Sequence, residues 1–254
     1  MPGITNFYTK AKKFLTEGRN PHFEQTQMKI NSRTLIVGSS GSGKTNAMLQ
    51  YIALCKNTFH SIWIVTKQIE PLYEMLEEKM RKSGRVHILF DIAKLPNVSE
   101  IRDPEHKTDQ TLVIFDDQVT DKKAMKGKIA EYFIRGRKQN VTMFFISQSY
   151  YEVPKLIRSQ MQYLILLKIS SARDLKLIFS DFSFGSDREA IVRIYREATA
   201  SFPNFLKIDV DQQDLQRKFT RNFTEFFRIC ECGESEEEEE SEDEDDQGSE
   251  NEDK

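Results

Sequence analysis

The sequence predicts an α/β chain of the doubly wound kind, a mainly parallel sheet with helices on both faces, and three observations predict it. Six short apolar, β-branched runs recur along the chain: Thr34 to Val37, Ile62 to Val65, Val86 to Leu89, Leu112 to Phe115, Met143 to Ile146 and Tyr163 to Leu167. Runs that are apolar at nearly every position, rather than at every second one, belong to strands buried on both faces. Longer polar stretches with helical spacing lie between the runs, and a glycine-rich turn follows the first of them, the pattern of alternating strands and helices.

The first helix is predicted over Thr45 to Lys56, with Ala47, Met48, Tyr51, Ile52 and Cys55 facing the sheet. The second spans Glu70 to Lys82. Pro71 suits its first turn, where a missing N–H costs nothing, and Leu72, Met75, Leu76 and Met80 form its predicted core stripe. Further helices are expected over Lys122 to Arg135, Ser170 to Asp181 and Asp187 to Thr199, and a final edge strand in FLKIDV from Phe205. The next segment, DLQRKFTRNFTEFFRI, interleaves Arg and Lys with Phe219, Phe223, Phe226 and Phe227. It reads either as a docking helix that returns its aromatics to the core or as a basic, aromatic surface for a partner.

At 254 residues and 38% hydrophobic, the chain suits one globular domain with an appendage. The charges are segregated. Between Glu231 and Lys254 fall 15 of the 40 acidic residues and one of the 37 basic ones, leaving residues 1 to 230 with 25 acidic against 36 basic, a balance of +11. The division expected is therefore a folded domain over 1–230 and an acidic tail over 231–254, the tail too charged and too poor in apolar residues to offset its ordering entropy. A cationic body fits a protein that meets nucleic acid, since neutralising phosphates supplies most sequence-independent affinity; a basic protein with a solubilising tail fits the same numbers. No apolar run approaches the length needed to span a bilayer, and MPGITNFYTKAKKFLTEG lacks the long apolar segment of a secretory signal, so a soluble, intracellular protein is expected. Cys55, Cys230 and Cys232 are an odd set with no second pair to complete a zinc site, which argues for free thiols.

The glycine-rich turn carries chemistry. Gly38-Ser39-Ser40-Gly41-Ser42-Gly43-Lys44-Thr45 fits G-x-x-x-x-G-K-[ST] completely and sits between an apolar strand and a helical pattern, as a phosphate-binding loop must. Its glycines let backbone amides turn inward around a β-phosphate, Lys44 reaches the β- and γ-phosphates, and the Thr45 hydroxyl ligates Mg²⁺. The helix N-terminus beyond, with Asn46 next in line, favours the anion. ATP and Mg²⁺ are the ligands this run predicts.

Two later strands end in polar residues at what should be the same edge of the sheet. TLVIFDDQ places Asp116 and Asp117 after four apolar residues; Asp116 is expected to hold the metal, and Asp117 to orient or deprotonate the attacking water, the alternative for Asp117 being a cap on the next element. TMFFISQS ends in Gln148, whose amide can hydrogen-bond both γ-phosphate and water. Charge developing on the γ-phosphate calls for an arginine. YFIRGRKQN offers Arg135 and Arg137, and YYEVPKLIRSQ offers Arg158, each of which can act in trans from a neighbouring subunit or serve only its own helix terminus.

Taken in order, these motifs resemble the DNA-packaging ATPases of the FtsK/HerA superfamily, the branch found in poxviruses, other large nucleocytoplasmic DNA viruses, virophages and polinton-type elements. The resemblance covers roughly Pro21 to Ile208 and rests on LIVGSSGSGKT, IWIVTKQIEPLYEML, TLVIFDDQ and IRGRKQNVTMFFISQSYYEVPKLIR. It implies a P-loop fold with an additional strand. It also implies Mg-ATP on Lys44 and Thr45, a metal-and-water pair in Asp116 and Asp117, a phosphate sensor in Gln148, and arginines acting between subunits at Arg135, Arg137 and Arg158. Two departures stand out: many relatives have Asn where Gln160 follows Arg158, and much of the wider superfamily has Glu where this chain has Asp117.

What the resemblance implies is a ring motor, hexameric, that hydrolyses ATP to drive double-stranded DNA into a preformed capsid with little sequence preference. A capsid or portal protein is the partner such a motor implies, and a virus assembly site or the virion the expected place. Two other readings fit the same motifs: a helicase or conjugation-type DNA pump of the same superfamily, and a P-loop binding protein that uses ATP as an assembly switch with negligible turnover. The acidic tail lies outside the resemblance; its carboxylates are suited to compete with DNA for the basic body, to dock on a basic partner, or simply to solubilise. If self-competition is its role, deleting residues 233 to 254 raises DNA affinity and flattens substrate selectivity, and unchanged binding across several salt concentrations dismisses it.

Overall fold

The computed structural model describes residues 5–10, 20–102, 105, 108–181 and 188–228; the predicted acidic tail, Cys230 and Cys232 lie outside them. Two short helices, Phe7–Lys10 (α1) and Phe23–Thr26 (α2), precede strand β1 (Arg33–Val37) and helix α3 (Lys44–Leu54). Then follow β2 (Phe59–Val65), α4 (Pro71–Met80), β3 (Val86–Leu89), β4 (Gln110–Asp116), α5 (Lys122–Ala124), α6 (Ala130–Arg135) and β5 (Val141–Ser147). The remaining elements are α7 (Lys155–Arg158), β6 (Tyr163–Leu166), α8 (Ala172–Asp181), α9 (Arg188–Ala198), β7 (Leu206–Asp209), α10 (Leu215–Lys218), β8 (Phe219–Arg221) and β9 (Glu225–Phe226).

Among the described residues these strands form one sheet in the order β3-β2-β4-β5-β1-β6-β7-β8-β9. The first six in that order pair in parallel, and β7, β8 and β9 add in antiparallel sense beyond β6. All six predicted runs are strands, and β5 stands between β1 and β4 as the additional strand. Alternate residues of each strand enter opposite cores. Leu112 and Ile114 of β4 join Phe144 and Ile146 of β5 under α3 and α4, where Met48, Tyr51, Tyr73 and Leu76 cover them. Val113, Phe115, Met143 and Phe145 face the other way, under Tyr132 and Phe133 of α6 and Ile178, Ile191 and Tyr195 of α8 and α9. Each such side chain stabilises the fold by about 1.5–3 kcal/mol on burial, which is why these strands are apolar at nearly every position.

Four expectations are corrected by the packing. The stripe of α4 is Tyr73 and Leu76, with Met80 packed against the same core as predicted, whereas Met75 is exposed and Leu72 borders a polar cavity; the Tyr hydroxyl has a use inside that a Met would not. The helix predicted from Lys122 to Arg135 is broken by a wide π turn at Met125–Ile129, where Gly127 (φ −99°, ψ −109°) leaves helical geometry. The strand FLKIDV is no edge, because β8 pairs with it.

The segment read as a docking helix holds only the single turn of α10 and then a hairpin. Asn222, at φ 53°, makes the turn in a left-handed conformation that Asn tolerates better than most residues. Phe219 and Phe223, four apart, would share one face of a helix; here Phe219 enters the core beneath α6, α8 and α9, and Phe223 the core beneath α3. Phe219→Leu and Phe223→Leu should therefore each cost roughly 1 kcal/mol and add within about 0.5 kcal/mol. Denaturant unfolding of the two single variants and the double variant measures this, and strong coupling between them would speak against the two-faced hairpin.

Candidate functional site

The central parallel strands end at one edge, and a cavity of about 680 Å³ lies over those ends. It gathers Ser40, Gly41, Gly43, Lys44, Thr45 and Asn46 from the loop after β1, Asp116 and Asp117 from the end of β4, and Gln148 after β5. Residues more than a hundred positions apart meet here only because β4, β5 and β1 are sheet neighbours in the same direction.

The loop's backbone depends on its glycines at two points. A side chain on Gly38 would place its Cβ 2.4 Å from Ser42 Oγ and 2.8 Å from Leu167 Cβ, and Gly43 sits at φ 96°, open to glycine and costly for other residues. Ser39 and Ser42 line a second, smaller cavity on the far side of the loop. Lys44 Nζ donates to the carbonyls of Gly38 and Ser39 at 2.9 and 3.0 Å, so the ammonium lies across the loop. An ammonium has three donors. Burial lowers the Lys44 pKa, while Asp116, Asp117 and Glu70 act to raise it.

The carboxylate of Asp116 is 8% exposed and accepts a 2.6 Å hydrogen bond from the Tyr73 hydroxyl. Burial pushes its pKa from 3.8 to about 6, opposed by the bond from Tyr73 and reinforced by the charges of Glu70 and Asp117. The Tyr73 hydroxyl is itself driven far above its usual range, first by burial and then by Asp116, so it remains a donor. Thr45 Oγ1 donates to Glu70 Oε2 at 2.8 Å. Thr45, Asp116 and Glu70 are hard oxygen donors of the kind Mg²⁺ takes, and that ion is usually held by one or two carboxylates together with substrate phosphates. Among the described residues no group of three or more His, Cys, Asp or Glu gathers as a metal site.

Asp117 leaves β4 in a left-handed conformation, φ 50°, with its N–H donating to the Ile146 carbonyl at 3.2 Å. Asp is several-fold enriched there among non-glycine residues, which gives a local reason for Asp where Glu stands in much of the superfamily. Gln148 is exposed at the cavity wall. The loop after it is fixed to α8: Tyr150 and Tyr151 N–H donate to the Asp174 carboxylate at 3.1 and 3.2 Å.

None of the three arginines lines the cavity. Arg135 pairs with Glu131 at 3.0 Å on an exposed face. Arg137 is also exposed, in the turn that feeds the start of β5, so both lie towards the sheet edge opposite the loop. Arg158 donates to Asp181 at 2.7 Å and lies over the Tyr150 ring. Gln160, where many of the superfamily have Asn, accepts from Arg33 at 2.7 Å and ties the start of β1 to the turn after α7.

The structure adds residues that the motifs did not single out. Glu70 and Tyr73 belong to IEPLYE, and what brings them in is sheet order: β2 neighbours β4, so residues soon after its end fall at the same edge. Phe202, 74% exposed, comes from the loop before β7 and touches the cavity rim; no sequence pattern marks it.

Residues 20–204 match the family model described as the poxvirus A32 protein. Among curated proteins none matches. The genome packaging NTPase B204 from Sulfolobus turreted icosahedral virus 2, solved in complex with ATP-gammaS, is similar at a TM-score of 0.57 and 18% identity, over 77% of this chain and 98% of that one. Its complex with sulfate gives a TM-score of 0.58 at 18% identity, over 77% and 97%. The pCW3 conjugation coupling protein TcpA, with ATPgS, is similar at a TM-score of 0.54 and 13% identity, over 79% of this chain and 62% of that one. At these identities the likenesses speak for the fold, a P-loop NTPase sheet.

The raised Asp116 pKa has a measurable consequence in the nucleotide-free protein. Below about pH 3 the carboxyl is neutral both folded and unfolded, and Asp116→Asn changes little. Between about pH 3 and 6 the unfolded chain ionises first, so wild type loses stability relative to the variant; above about pH 6 the gap is constant, on the order of 3 kcal/mol. Thermal unfolding without divalent ions should show Asp116→Asn gaining several degrees at pH 7.5 and nothing near pH 3. A gain independent of pH would refute the assignment.

Proposed function

The chain belongs to the family of the poxvirus A32 protein, and from that membership and the cavity's geometry we propose that it is an ATPase that drives double-stranded DNA into a viral capsid. One observation carries the ATPase reading: Lys44 and Thr45, the Asp116–Asp117 pair and Gln148 come from three separate strand ends and line one cavity. ATP-binding folds are common, but an acidic pair and an amide beside the phosphate loop suit hydrolysis in particular.

In this reading residues 1–230 form the ATPase domain and 231–254 an acidic tail. The loop amides and Lys44 bind the β- and γ-phosphates. Thr45 Oγ1 and Asp116 would hold Mg²⁺, which would supply neutralisation of the phosphates' negative charge. Tyr73 and Glu70 orient those two groups. Asp117 takes a proton from the water that attacks the γ-phosphorus as the bond to ADP breaks, and Gln148 aligns that water and reports whether the γ-phosphate is present. Asp116 is buried and engaged while Asp117 faces the cavity, and this difference in exposure supports the division of labour between metal and base.

The +11 balance of residues 1–230 supports sequence-independent contact with phosphate backbones. Arg135 and Arg137 lie far from the chain's own cavity and are exposed, which suits action on a neighbour's nucleotide in a ring; Arg158, held by Asp181, suits it less. We take the ring to be a hexamer. Among the described residues no helix is long and apolar enough to cross a membrane. We place the work at a virus assembly site, beside a capsid or portal protein, on the family membership alone.

Lys44→Ala should abolish nucleotide binding, whereas Asp117→Asn should keep it and lower DNA-stimulated phosphate release by about 100-fold or more. Steady-state turnover and nucleotide binding measured on both variants check this; undiminished turnover in Asp117→Asn would remove Asp117 as the base. Doping Lys44→Ala subunits into wild type tests the ring, since a linear loss of activity means that subunits act independently.

A further inference from the structure

The phosphate end of the nucleotide is accounted for by β1, β4 and β5, but nothing in that set receives the base. Sheet order restricts where the base can go. With Asp116, Asp117 and Gln148 on the β4–β5 side of the phosphate loop, the nucleoside must leave on the other side, over β6 and β7. A second cavity of about 260 Å³ lies there. It is built from the outer wall of the phosphate loop, from Lys168 and Ser170 after β6, and from residues 199–202 and Asn204 before β7.

Phe202 stands between the two cavities and lines both. A solitary exposed phenyl ring would mean little; its placement is what matters. Its Cε2 lies 3.1 Å from where a Cβ would project from Gly43, so the ring rests against the last glycine of the phosphate loop. Its loop is held in shape independently of any ligand. Thr199 Oγ1 donates to the Tyr195 carbonyl at 2.8 Å, Asn204 Nδ2 to Ser201 Oγ at 2.9 Å, and Asn222 Nδ2 to Asn204 Oδ1 at 3.0 Å. The opposite wall is fixed as well, by Ser39 N–H to the Lys168 carbonyl at 2.9 Å and Ser39 Oγ to Ser170 Oγ at 3.1 Å. A rigid aromatic face beside a phosphate site, at the mouth of a polar cavity, is the arrangement that stacks a nucleobase.

Building on the ATPase reading, we infer that Phe202 is the base-stacking residue of the nucleotide site, with the β6–α8 and α9–β7 loops forming its base subsite. Among the described residues lining that subsite none is acidic, so no carboxylate is present to select guanine through its N–H groups. Recognition there comes from stacking area, and purines are preferred over pyrimidines.

The test uses the full chain and calorimetric titration with ADP, UDP and inorganic pyrophosphate, which has no base. Wild type should bind ADP more tightly than UDP. Phe202→Ala should raise the Kd for ADP on the order of tenfold, erase the ADP–UDP difference and leave pyrophosphate binding unchanged. Phe202→Trp should keep ADP affinity, and its added indole fluorescence should be quenched by ADP but not by pyrophosphate. Equal ADP affinity in wild type and Phe202→Ala overturns the inference, as does an equal loss for ADP and pyrophosphate, which would mean that the ring only shapes the phosphate loop. Failure of wild type to bind either phosphate compound would instead overturn the nucleotide-site reading on which the inference rests.

Discussion

Strand β1 is hydrogen-bonded on both edges, to β5 and to β6, and its Leu35, Ile36 and Val37 are buried on both faces. A strand enclosed on four sides offers no lateral surface for chemistry; only its ends are free. The same holds for β4 and β5, every residue of which is buried. Because all three run the same way, their exits fall at one edge, and the polar residues that follow each exit are gathered without any direct sequence relation. The site is a by-product of a sheet whose central strands are free only at their ends.

That constraint decides how much of the molecule is legible in the sequence. Fully apolar runs are hard to mistake, and the glycine pattern of the loop encodes backbone conformations few other residues adopt. Asp116 is readable because a carboxylate that closes a buried apolar run must meet a cation or a donor there. Tyr73 and Glu70 are harder to see because their importance lies in whom they meet: by spacing alone Tyr73 is a surface neighbour of the Leu72–Met75 stripe, and only the pairing of β2 with β4 brings it to Asp116. The last hairpin reads as a helix because Phe219 and Phe223 satisfy helical spacing just as well. The turn at Asn222, one residue with a positive φ, decides between the two, and sequence spacing carries no record of it. The arginines are legible as residues but not as positions, since nothing local to YFIRGRKQN says which edge of the sheet it occupies.

The buried carboxylate is also an unfavourable feature that the fold tolerates. Asp116 is held by one hydrogen bond from Tyr73 while burial and the neighbouring acids oppose its charge, so the nucleotide-free state is strained electrostatically at neutral pH. In the proposed reading a cation in that place would relieve the strain, and metal affinity and instability of the empty site would be two expressions of one arrangement.

Helix α8 is fixed at both ends to segments that flank the site. Near its start Asp174 holds the backbone just after Gln148, and at its last residue Asp181 grips Arg158 and the Tyr150 hydroxyl. The stretch from one carboxylate to the other is about 10 Å of α-helix, a rod with no soft joint. The loop after Gln148 and Arg158 thus behave as a crank and its pin: neither can turn without carrying the other, or breaking a bond to let go.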